Sequence, residues 1–72
     1  MKVVYYAKFP MLGWELTVTK EGAYIMAVAY NVNSQTVHLV YRYVDNYDSV
    51  EEPDPKIPQE IFDVWMASRE YY

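Results

Sequence analysis

No cysteine occurs in this chain, and that single absence removes several possibilities at once. Without thiols there is no disulfide to staple a small fold and no thiolate to hold a metal. One histidine, His38, is too few for a structural zinc site. Two glycines, Gly13 and Gly22, cannot build a glycine-rich phosphate loop. The six cations are scattered along the chain, so no basic stripe exists to neutralise a nucleic-acid backbone. Apolar runs are short: Ala23 to Tyr30 is the longest without charge, far below the ~20 residues a membrane span needs. Lys8 interrupts the apolar start, which argues against a signal peptide. These absences lead to the expectation of a cytoplasmic protein with no cofactor, no metal, no direct nucleic acid and no membrane contact.

Catalytic chemistry is equally short of parts. Ser34, Ser49 and Ser68 fall in three different segments with no base beside them in sequence, and His38 reads as a surface histidine. The chain is therefore expected not to be an enzyme.

What is present is a globular composition, 53% hydrophobic, with nine tyrosines among 72 residues. That length sets the expectation of one domain (1–72) with a thin stability margin, and self-association is the support left to it. Tyrosine joins an apolar ring to a polar tip and suits surfaces that become buried on contact.

Four stretches carry strand patterning: Val3 to Phe9, Trp14 to Lys20, Tyr24 to Val32 and Thr36 to Val44. Breaks at Pro10–Gly13, Glu21-Gly22 and Asn33-Ser34 are short enough to join antiparallel neighbours. After an acidic connector (45–56), Pro58 opens a helix expected over 58–70, with Ile61, Phe62, Trp65 and either Met66 or Arg69 on one face. The expected fold class is α+β: a four-stranded antiparallel β-meander (3–44) followed by one C-terminal α-helix packed on one face.

Strand alternation then divides the residues between two faces. One collects Val3, Tyr5, Ala7, Phe9, Trp14, Leu16, Val18, Ile25, Ala27, Ala29 and Val40, with alanines leaving room for the rings of Phe62 and Trp65. On the other, Lys8 opposes Glu15, Tyr6 opposes Thr17 and Val4 opposes Thr19. Beside that polar half, Tyr24, Met26, Val28 and Tyr30 neighbour Val37, Leu39, Tyr41 and Tyr43. One helix cannot cover both faces, and an exposed apolar patch marks a contact site. Tyr24, Met26, Tyr30, Leu39, Tyr41 and Tyr43 are the expected partner-binding residues.

The connector supplies a second candidate surface in Asp45, Asp48, Glu51, Glu52 and Asp54, set against Lys56 alone. Its spacing fits no calcium loop: counted from Asp45 the third and fifth positions are Tyr47 and Ser49, counted from Asp48 they are Val50 and Glu52, and no glycine follows. Prolines at 53, 55 and 58 stiffen it into a strap, whose charge can steer a basic partner or imitate a short run of phosphates.

In size, acidity and want of catalytic groups the chain resembles, by type and without a shared motif, the small accessory proteins of phages and mobile elements. That resemblance implies a protein that binds and blocks a host enzyme or defence complex. The alternatives are a homodimer built through the tyrosine patch, and a small-ligand binder with a pocket between sheet and helix.

Overall fold

The computed structural model describes residues 2–44, 47–49 and 54–71, with residues 44 and 47–49 described as backbone. Four long strands, β1 (Lys2–Phe9), β2 (Trp14–Glu21), β3 (Tyr24–Asn31) and β4 (Thr36–Val44), run in chain order, each antiparallel to the next. A helix, α1 (Gln59–Ser68), follows and ends in a 3₁₀ turn over Arg69–Tyr71. The architecture is the α+β meander with a C-terminal helix that the patterning leads one to expect. The connector adds one feature, a three-residue strand β5 (Tyr47–Ser49) that extends the sheet beyond β4.

Each hairpin has a local cause. The β1–β2 loop closes with the Leu12 and Gly13 amides donating to the Phe9 carbonyl at 3.1 and 3.0 Å. Gly13 takes φ +75° there, a left-handed conformation open to a residue without Cβ. Between β2 and β3 the turn falls on Gly22 and Ala23, not Glu21 and Gly22, so Glu21 pairs with Tyr24. That moves the β2–β3 register by two residues, placing Trp14 opposite Asn31 instead of Ala29, and a two-residue shift leaves every side chain on its face. In the β3–β4 turn, Asn31 Oδ1 accepts the backbone N–H groups of Asn33 and Ser34, both at 3.0 Å. This is the turn-forming habit of a short amide side chain.

Two bulges do what the turns do not. In β4 the partner of Ala27 is Tyr41 while that of Val28 is Leu39, so Val40 is an extra residue. Beyond it every β4 side chain changes face. Tyr41 and Tyr43 thus turn inward, which corrects the expectation that both line the outer patch. Tyr41 is buried and Tyr43 packs against the core. Arg42 moves the other way, to the outer face opposite Met26. In β1 a matching irregularity between Val3 and Tyr5 pairs Val3 with Thr19, leaving Val3 exposed and Val4 packed on the core. Their expected positions are exchanged.

The core lies between the sheet and α1. Leu16, Val18, Ala27, Ala29 and Ile61 are fully enclosed, with Trp14, Val40, Tyr41, Ile57 and Trp65 closing around them. The small side chains of Ala27 and Ala29 admit the Trp65 indole, whose ring centre lies 4.9 Å from that of Tyr41. Ile61, Trp65 and Ser68 form the inward side of the helix, whereas Met66 and Arg69 are exposed; the Arg69 guanidinium still lies 5.2 Å from the Trp65 ring and 5.6 Å from that of Tyr41. Among the described residues no helix is long and apolar enough to cross a membrane.

Candidate functional site

The outer face of the sheet reads as rows running across β1, β2, β3 and β4. The first is Lys8, Glu15, Tyr30 and Val37; the second is Tyr6, Thr17, Val28 and Leu39; the third is Val3, Thr19, Met26 and Arg42. Glu21 and Tyr24 form a last, shorter row. The β1–β2 half is mostly polar and partly tied to itself: the Tyr6 hydroxyl donates to Glu15 Oε1, and that bond holds the phenol above the usual tyrosine range. The β3–β4 half is mainly apolar.

Packing on that half is one-sided. Val37 and Leu39 are 63% and 42% exposed, and Tyr24, Met26, Val28 and Tyr30 are half-buried by their strand neighbours. The Tyr24 hydroxyl reaches Met26 Sδ at 3.3 Å, and Thr19 Oγ1 meets the Met26 carbonyl at 3.4 Å, so the surface is held in place. Among the described residues, Tyr24, Met26, Tyr30 and Leu39 therefore stand together as expected. The bulge removes Tyr41 and Tyr43 from the group and adds Arg42.

The acidic surface is placed only in part. Asp45, Glu51 and Glu52 lie outside the described residues, and Asp48 belongs to β5. Asp54 is tied down. One carboxylate oxygen lies 2.8 Å from His38 Nδ1, and the other accepts the backbone N–H of Lys56 at 2.9 Å. The Lys56 amide first, and His38 second, hold the Asp54 carboxyl below its ordinary value. His38 Nε2 in turn lies 2.9 Å from Thr36 Oγ1, which lies 2.6 Å from Ser34 Oγ. The Trp14 ring stands 5.3 Å from the imidazole.

Sequence reading missed this chain of contacts, because its ends are twenty residues apart and His38 looked like a solvated strand residue. The alternation of Thr36 and His38 was the one available signal, since it puts both on one side of a strand next to the turn that holds Ser34. Its connectivity is that of a carboxylate–histidine–hydroxyl triad. Catalysis also needs donors aimed at a developing oxyanion and a cleft that seats the substrate. The Asn33 and Ser34 amides, which precede Thr36 in the turn, are already taken by Asn31. What the relay does is fasten the end of the connector to the start of β4. It also delivers Ile57, whose amide bonds the Asp54 carbonyl at 3.0 Å, into the core.

Two clefts lie at the end of the sheet carrying the β1–β2 loop, one of about 410 Å³ and one of about 260 Å³. Neither is the expected cavity behind Ala27 and Ala29. No group of three or more metal-ligating side chains occurs among the described residues. Compared with protein-family models, with curated proteins and with solved structures, the chain finds no match.

Proposed function

We propose that this chain is a non-catalytic protein-binding module of the inhibitor or adaptor type, whose contact surface is the outer face of β3 and β4. The observation that carries the reading is the apolar half of that face, centred on Val28, Val37 and Leu39 and bordered by Tyr24 and Tyr30, over which no described element packs. Burying such a patch contributes roughly 25 cal/mol per Å² of apolar surface, before the costs of association. Rigid tyrosine rings add contact area at little cost in side-chain freedom.

Charge gives the reading its direction. The net charge of −4 and the carboxylates of the connector favour a partner whose surface is basic, by raising the rate of encounter. A module of this kind acts as an inhibitor when the surface it covers is the one its partner uses.

The test is site-specific photo-crosslinking in cells that make the protein, with the photoreactive residue at position 39 or, as control, at position 17 on the polar half. The expected result is a discrete adduct from position 39 alone. The purified partner should then bind the unmodified chain and lose that binding to Val37→Asp. Equal adducts from both positions, or undiminished binding by Val37→Asp, would overturn the proposal.

A further inference from the structure

A second surface, reaching from the β1–β2 loop onto the polar half of the outer face at Lys8 and Glu15, stands apart from Leu39 and the apolar half. Met11 is fully exposed at its tip, with Leu12 and Val32 partly exposed beside it. An exposed methionine on a slack loop would mean little, but this loop is held from both sides. The Leu12 and Gly13 amides bond back to Phe9, and the Val32 amide donates to the Gly13 carbonyl at 2.8 Å, locking the β1–β2 loop to the β3–β4 turn. Between these two turns lies the cleft of about 410 Å³, whose lining includes Pro10, Trp14, Val32 and Asn33 together with Lys8 and Glu15. A fixed apolar knob and an apolar hollow thus occupy adjoining parts of one surface.

We infer that this end of the sheet is a self-association surface, in which Met11 of one copy seats in the cleft of a second copy and the reverse contact closes the pair. Two features favour a second copy over an unrelated partner. A twofold contact requires one patch to complement itself, and here the Met11 knob adjoins a hollow that Pro10 and Gly13 of the same loop line together with the ends of β1 and β2 and the β3–β4 turn. The charge is self-complementary too: one cation, Lys8, and one carboxylate, Glu15, lie in register beside the cleft. A twofold axis can set each Lys8 against the other copy's Glu15, whereas a patch of one sign would repel itself. Methionine suits the knob, being unbranched and able to fill an irregular hollow. The contact is small, so the pair is expected to dissociate on dilution.

Light scattering on a sizing column, across a dilution series, reads this directly. The expected result is a dimer at high concentration that gives way to monomer on dilution. Met11→Lys should be monomeric throughout while keeping the wild-type circular dichroism spectrum. Lys8→Glu and Glu15→Lys should each weaken the dimer several-fold, and the double exchange K8E/E15K should restore it, because the exchanged charges complement each other again. Leu39→Asp, on the sheet face, should dimerise normally, which separates this inference from the proposed function. A wild-type chain that stays monomeric at every concentration overturns it. So does a dimer that survives Met11→Lys, is not restored by K8E/E15K, or is lost through Leu39→Asp.

Discussion

Asp54 shows how much a single side chain is asked to do. It joins the connector to β4 through His38 and shapes the turn before α1 through the Lys56 amide. Because its folded pKa lies below the unfolded value, its contribution is present above the ordinary carboxylate value and is lost as pH falls through the depressed folded value. Asp54→Asn should therefore lower Tm at neutral pH, and the gap from wild type should close as the medium is made acidic. Thermal melts of both chains across that range check the sign; a gap that widens on acidification would contradict it. Trp65 offers a second residue-scale test, since its Nε1 is buried with no acceptor among the described residues. Trp65→Ala should cost about 3–5 kcal/mol. Trp65→Phe should cost far less, because it also removes a donor whose unsatisfied burial costs about 1–3 kcal/mol. Urea unfolding of both variants would measure the difference. Residue identity announced Trp65 as core, since it fell on the helix's apolar stripe. The role of His38 was not legible, because its partner comes from a distant segment and sequence alternation carries no information across the connector.

At the scale of elements, the turns and the bulges divide what could be read from what could not. The Pro10–Gly13 loop, the pairing of Lys8 with Glu15 and the pairing of Ala29 with His38 follow from turn residues and alternation. The β2–β3 turn fell one residue late, yet the faces survived because the register moved by an even number. The bulge at Val40 leaves no such trace. Thr36 to Val44 alternates without a glycine or proline to mark an extra residue, and the bulge sets Tyr41 opposite Ala27 on the core face. The bulge therefore moved one of the six expected contact residues, Tyr41, into the core and another, Tyr43, against it. The glycines test the turns: Gly13 and Gly22 hold φ of +75° and +58°. Alanine at either should cost about 1–2 kcal/mol through left-handed strain alone. At Gly13 the added carbon would also stand 2.7 Å from Asn33 Nδ2, the end of an exposed side chain that can swing aside, so G13A and G22A should lower the melting temperature by similar amounts. The helix makes the opposite point. Ten residues are below the length at which isolated helices persist in water. A peptide of residues 54–72 should show little helix by circular dichroism, and a strongly helical spectrum would mean that α1 does not depend on the sheet.

Across the whole molecule the organising fact is asymmetry. One helix covers one face of a sheet, and the other face keeps an apolar half against solvent beside a polar half. With no disulfide and a small core, such a chain exposes apolar area at a cost in stability, and contact with another protein is the use proposed for it. That account depends on the side of the sheet to which β4 sends each residue on either side of Val40. The deciding measurement is the thermal unfolding of Leu39→Asp and Tyr41→Asp, two substitutions of one kind, two positions apart. Leu39→Asp should melt within a few degrees of the wild-type chain, and Tyr41→Asp should fail to fold or lose most of its stability. Equal loss in both, or the reverse order, would put Leu39 in the core and leave the outer face with no contact surface to offer.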